Sequence, residues 1–294
     1  MYLAAALRHL RAVCSTRPNP PISVDCMPLE WEYADDTDFI DEDKEILTNL
    51  LVTCSSIFKE WNLQVNSSKT EFIKFHVAEK YEIDDKGELI RGREYWRQSI
   101  SLGSKIDSEA DITQRCSKAN SAFHFYNKLW LKGTSISLCV KLKLYEALVT
   151  SVLLYNCSSW TVTAKNMKKL DVCQRKHLRQ IVKMQWPKNN ISNANLYKIC
   201  KCQAISDRVA ASRWRMLGHI LRGDETNPAF LALNFVLTSN VKLIGRIGRH
   251  QSTLMSTIRR DLLNRHMQLN TAEDLCKLRE YAMDRKNWKY LETV

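Results

Sequence analysis

The chain has 294 residues, 45% of them hydrophobic, enough for two or three modest domains with real cores and too apolar for wholesale disorder. A formal net charge of +12 points to an anionic partner, nucleic acid first, against the plainer reading of a basic soluble protein with no specific ligand. No apolar run approaches membrane-span length and no secretory leader is recognisable, so the expectation is an intracellular protein, nuclear or cytoplasmic, not secreted and without a membrane partner.

In chain order, Leu3, Ala6, Leu7 and Leu10 share one face of a helix predicted over 2–13, read as a packed helix in preference to a mitochondrial presequence. Pro18, Pro20 and Pro21 end it in an extended loop. Residues 28–40 alternate around Asp35-Asp36 and predict two short strands joined by a tight turn. Ile46, Leu47, Leu50, Leu51, Cys54, Ile57, Phe58 and Trp61 predict an amphipathic helix. Asp41, Glu42 and Asp43 suit its positive dipole end, and Asn62 stops it in left-handed geometry. A turn at Asn66-Ser67-Ser68, a strand over 70–77 and a polar surface hairpin or loop over 78–98 follow. From Ser108 the pattern is helical: 111–130, 135–155, 165–184, a group over 191–221, and final helices over 252–265 and 271–291. Pro187 with Asn189-Asn190 marks a boundary, and 245–250 reads as a basic linker.

Charge is segregated along this order. Residues 30–45 are acidic, and residues 165–222 are strongly basic. Tyr33-Ala34-Asp35-Asp36 puts adjacent carboxylates on a turn, where they repel each other and suit a hard cation such as magnesium; the alternative is a solvated acidic turn. Ten cysteines show no CxxC pair. Cys200 with Cys202, and Cys173 with His177 one helical turn on, fall short of four zinc ligands, which leaves reduced thiols, several in the core. Trp130, Trp160 and Trp186 are candidates for base stacking, with core packing the favoured reading. His219, beside Gly218, is assigned to helix packing or tail docking.

The motifs together resemble the reverse transcriptase of non-LTR (LINE-like) retrotransposons. Tyr33-Ala34-Asp35-Asp36, a long helix, and Asn62-Leu63-Gln64-Val65-Asn66-Ser67-Ser68-Lys69-Thr70 are similar to the family's YADD and "G-L-x-V-N-x-x-K-T", with Asn62 for the glycine. Ile100-Ser101-Leu102-Gly103 stands where the family has a "Y-L-G" primer-grip turn, Ser101 replacing the tyrosine. Residues 112–130 resemble its thumb helix, "I-x-x-R-I-x-K-A-N-x-A-F-x-x-L-x-x-x-W". Residues 142–163 resemble "L-Y-x-A-L-V-x-S-V-L-L-Y-x-x-E-x-W-T-x-T". Residues 213–222 resemble "R-W-x-G-H-x-x-R", and Gly245-Arg246-Ile247-Gly248-Arg249 a degraded "G-R-P-x-x-x-W".

The resemblance implies an α+β, mostly α chain: a partial reverse-transcriptase palm with the YADD hairpin over 1–105, a helical thumb over 106–190 and a helical C-terminal domain over 191–294. It implies Asp35 and Asp36 as catalytic, magnesium-binding residues and Lys69 beside the nucleotide phosphates. The expected RNA or DNA contacts, of template–primer type, are Lys118, Lys128, Lys132, Lys141, Lys143, Lys165, Lys168, Lys169, Arg175, Lys176 and Arg179. The family's further metal-binding aspartate and its fingers have no counterpart here. The expectation is therefore a weak, incomplete magnesium site, no synthesis by these residues alone, retained nucleic-acid binding, and self-association through exposed palm surface. The alternative is a domesticated helical interaction or nucleic-acid-binding module without catalysis.

Overall fold

Local sequence signals decide where the helices start. Asp107, Ser137, Thr163, Ser192, Thr253, Thr271 and Asp284 each lend a side-chain oxygen to an orphan amide in the first turn of the helix that follows. The structure, a computed structural model, describes residues 2–14, 30–33, 36–41, 44–66, 68–73, 82–83, 89–90, 99–132, 135–184, 191–238 and 253–291. The described residues are mostly helical with few strands. None of their helices is long and apolar enough to cross a membrane. The chain groups into two units, Met1–Arg93 with Glu225–Val236, and Glu94–Asp224 with Leu237–Val294.

The first unit holds α1 (Tyr2–Cys14) and α2 (Lys44–Glu60). Between them lies the hairpin of β1 (Glu30–Tyr33) and β2 (Asp36–Phe39). Ala6, Leu7 and Leu10 of α1 bury against Cys54, Ile57 and Phe58 of α2, with Phe39 and Leu63 at the edge. This is the apolar face that the three- and four-residue spacing predicts. Asn62 closes α2 at φ 56, the left-handed geometry expected of it, while the Leu63 amide reaches back to the Phe58 carbonyl at 2.8 Å. Residues 70–73 are not a strand, in contrast to the strand expected over 70–77; 74–77 lie outside the described residues. Thr70 is spent on the preceding turn, its hydroxyl donating to the Asn66 carbonyl at 3.0 Å. A short hairpin, β3 (Glu82–Ile83) with β4 (Leu89–Ile90), follows.

The second unit begins with the hairpin of β5 (Ile100–Ser101) and β6 (Ser104–Lys105), then α3 (Ser108–Phe125) and a π-helical turn at Lys128–Lys132. Next come α4 (Leu138–Tyr145), a π-helical turn at Glu146–Thr150, the single turn α5 (Ser151–Leu153), and α6 (Ala164–Ile181). α7 (Asn193–Cys200) and α8 (Ile205–Arg222) complete one core. Trp130 and Trp160 are buried inside it, so packing is their role; Trp186 lies outside the described residues. α9 (Pro228–Thr238), which belongs to the first unit as far as Val236, was not anticipated: Phe230, Leu231, Leu233, Phe235 and Val236 give it apolar residues all round and erase the periodic signal. α10 (Leu254–Leu263), α11 (Ala272–Met283) and α12 (Arg285–Tyr290) close the chain. The last two divide the predicted helix 271–291 at Asp284, whose carboxylate accepts from the amides of Lys286 and Asn287.

The segment 213–222 docks these last helices. Trp214 stacks on Trp288 with ring centroids 3.9 Å apart and planes 6° from parallel. Each indole N–H donates to the other residue's carbonyl, at 2.8 and 3.2 Å. The Arg265 guanidinium covers the Trp214 ring at 4.6 Å. Arg213 Nε donates to Asp261 Oδ2 at 2.6 Å, and Arg222 Nη1 to the Ala282 carbonyl at 3.2 Å. Gly218 is the room for this arrangement, because a Cβ there would fall on the Trp288 indole. His219 itself is exposed; tail docking belongs to its neighbour. Alanine ordinarily stabilises a mid-helix glycine position by about 1 kcal/mol. Here Gly218→Ala is expected to reverse that sign and cost about 1–3 kcal/mol through overpacking, seen as a lower urea midpoint.

Candidate nucleic-acid interface

The acidic hairpin pairs Tyr33 with Asp36 and Trp31 with Asp38. Asp35 lies outside the described residues. Asp36 and Asp38, two apart on β2, share one face and are both exposed. Magnesium wants near-octahedral oxygen coordination. Among the described residues no three acidic, histidine or cysteine side chains gather for a metal. Asp36 and Asp38 supply two carboxylates of such a shell.

Lys69 sits on an exposed turn built by Asn66. The Asn66 carbonyl accepts from the amides of Lys69 and Thr70 at 3.0 and 3.1 Å, and its side-chain oxygen accepts from Ser68 Oγ at 2.7 Å. That is a main-chain turn braced by the Asn66 side chain, and it presents the lysine to solvent. A shallow cleft lined by Leu51, Ser55, Val65, Thr70 and Phe72 lies beside it.

The turn at Leu102-Gly103 is strained and held. Both residues have positive φ, 48 and 76, which glycine accepts and leucine does not accept freely. Arg115 Nη2 donates to the Gly103 carbonyl at 2.6 Å and to Ser104 Oγ at 2.8 Å. Tyr155 Oη donates to the Leu102 carbonyl at 2.9 Å, and its ring lies under the Arg115 guanidinium at 4.3 Å. Buried Asp111 balances the arginine at 3.5 Å and accepts from Trp160 Nε1 at 2.8 Å and the Lys105 amide at 3.0 Å. The hairpin therefore stands rigidly on α3, with Ile100 and Leu102 exposed.

Six of the eleven cationic candidates lie on α6, and Lys118 lies on α3, which runs parallel to it. Lys165 meets Glu109 at 3.4 Å, Lys169 Nζ donates to Thr113 Oγ1 at 2.7 Å, and His177 Nε2 lies 2.8 Å from Asn120 Oδ1. These pairs keep an offset of 56 or 57 residues along the seam. At about 100° per residue, Lys165, Lys168, Lys169, Arg175, Lys176 and Arg179 fall within about a third of the α6 circumference. The buried Leu170, Cys173, Gln174, His177, Leu178 and Ile181 occupy the opposite side. Lys118, Lys168 and Lys176 are exposed and make no ion pair among the described residues. Arg175 leans on Tyr197 at 3.4 Å and Arg179 on Asn193 at 2.8 Å, both of α7. Lys128 and Lys143 are exposed, and the Lys132 side chain lies outside the described residues.

Lys141 is a correction. It is 5% exposed, and its ammonium donates to the Trp130 carbonyl at 3.0 Å within the π-helical turn. It is structural and unavailable to a phosphate. Its spacing matched that of a surface lysine, because the stripe of α4 that turns inward is decided by Trp130, not by local pattern.

Cys173 and His177, one helical turn apart, belong to a buried polar chain at the seam. His177 lies between Tyr145 Oη, 3.2 Å from Nδ1, and Asn120 Oδ1, and stacks on Phe123 at 4.2 Å. Asn120 and Tyr145 were legible only as parts of the family-like motifs. No protein-family model matches the chain, and no curated protein or solved structure matches it.

Burial pushes the His177 pKa down to about 4, helped by the His124 and Lys176 charges. An unfolded histidine titrates near 6.5, so the unfolded chain takes up this proton first. Stability from the neutral imidazole is therefore fully present above about pH 6.5 and is lost as pH falls through about 4. Urea titrations across that window are expected to show this loss, and His177→Phe, which cannot titrate, to flatten it.

Proposed function

We propose that this chain is the palm-to-C-terminal part of a non-LTR retrotransposon reverse transcriptase, and that these residues alone bind nucleic acid without synthesising DNA. The observation that carries the binding half is the single-sign face of α6, four exposed lysines (Lys165, Lys168, Lys169 and Lys176) opposite a buried side of apolar and hydrogen-bonded polar residues. Such a face can lie along a phosphate backbone, where released counterions supply affinity without reading sequence. The polymerase half is supported by the order of the motifs, and by the long-range contacts their residues make: Arg115 to the 102–103 turn, Asn120 to His177, Trp214 to Trp288.

In the polymerase, Asp35 and Asp36 would hold magnesium together with a further aspartate that the resemblance implies on another strand. Metal-assisted phosphoryl transfer depends on all of these carboxylates being aimed together. The binding half does not depend on that partner.

Fluorescence anisotropy with single-stranded RNA and with an RNA–DNA duplex, across a potassium chloride series, tests the binding half. Dissociation constants of roughly 10⁻⁴ to 10⁻⁶ M at physiological salt are expected. The Lys168→Ala/Lys169→Ala/Lys176→Ala variant should reduce the log–log salt slope by about 2–3, at about 0.7–0.9 per lost phosphate contact. Unchanged slope and affinity would remove α6 from the interface. Asp35→Ala/Asp36→Ala should leave binding intact, and incorporation by the wild-type chain on a primed template with magnesium or manganese would contradict the catalytic half.

A further inference from the structure

The seam between α3 and α6 places two thiols against each other. Cys116 and Cys173 are 7% and 8% exposed and pack in the same core, neighbours across the seam. They are held there by their neighbours. Glu109–Lys165, Thr113–Lys169 and Asn120–His177 fix the register above and below, and Cys173 Sγ also reaches Asn120 Oδ1 at 3.7 Å. The pair 116–173 falls on the same line of contacts.

The other described thiols differ. Cys139 and Cys276 are exposed, and the structure gives neither a thiol neighbour. Cys200 and Cys202 also contact each other, but across a single residue, Lys201, at a helix end. A bond there would tie the chain only to itself, whereas 116–173 would join two helices.

We propose that Cys116 and Cys173 form an oxidative modification site, closed to an inter-helix disulfide by a hydroperoxide. The chemistry balances in two steps. The Cys116 thiolate attacks one peroxide oxygen; an S–O bond forms, the O–O bond breaks, and the departing hydroxide takes a proton to become water. Cys173 sulfur then attacks the sulfenic sulfur; an S–S bond forms, the S–O bond breaks, and a second water leaves. Two thiols have lost two electrons and two protons, and one peroxide has become two waters. The order of attack follows from the site. The neighbouring Cys173 thiol and the Lys169 ammonium draw Cys116 towards the thiolate, while the Cys116 sulfur beside it and burial push the Cys173 thiol up. The peroxide is water-sized, and the rim of the seam at Lys169 and Asn120 is exposed. This proposal does not depend on the nucleic-acid reading.

The test treats the full chain with an equimolar amount of hydrogen peroxide, alkylates the remaining thiols, and maps the non-reduced tryptic digest by mass spectrometry. Two of the ten cysteines should be lost to alkylation. One cross-linked species should join the peptides carrying Cys116 and Cys173, and dithiothreitol should release it. In Cys173→Ala the resolving thiol is gone, and a dimedone adduct should accumulate at Cys116. Circular dichroism checks that this variant folds, and the wild-type map stands without it. Oxidation confined to Cys139 and Cys276, a bond between Cys200 and Cys202 alone, or Cys116 and Cys173 both alkylated after treatment would overturn the proposal.

Discussion

The helical unit turns on one buried imidazole. His177 is 2% exposed, stacked on Phe123, and bonded to Asn120 on α3 and Tyr145 on α4. A neutral imidazole offers one donor and one acceptor, so one tautomer serves both partners and leaves nothing unpaired. That arrangement sets the rotation of α6 about its axis. With His177 turned inward, helical periodicity puts Lys169 and Lys176 about 80° and 100° round the axis, at the exposed edge of the seam. The charge of the surface is thus fixed by a polar contact in the core.

The basic residues divide into two populations by their hydrogen bonds. Arg115, Lys141, Arg213 and Arg265 each donate to a carbonyl or carboxylate within the fold. They are not available to a ligand, and several are buried deeply enough that losing a partner would strand a charge. Lys118, Lys168 and Lys176 have no such partner among the described residues and stand in water. The net charge of +12 therefore overstates the charge a phosphate backbone can meet, and α6 carries the densest part of what remains.

Much of this architecture was legible because the relevant signals are local. Periodic apolar residues gave α2, α3, α6 and α8, and Asn62 announced the end of α2. The failures have physical causes. A strand is expected over 70–77, but Asn66 captures Thr70 in a turn and 70–73 are not a strand. α9 is apolar on every side, so periodicity says nothing about it. The site was legible in kind, as a basic surface on helices, but not residue by residue. Whether Lys141 points in or out depends on Trp130, eleven residues away, and Asp111 reads as a surface acid until Trp160 reaches it across the fold. The role of Gly218 is likewise set by Trp288, which no local pattern reveals.

Lysine-acetylation footprinting with and without a bound RNA–DNA duplex tests the central claim most directly. The account expects Lys165, Lys168, Lys169 and Lys176 to be protected on binding, with Lys277 and Lys286 of the terminal helices labelled equally in both states. Protection confined to the terminal helices, or equal labelling along α6 in the bound and free chain, would contradict it.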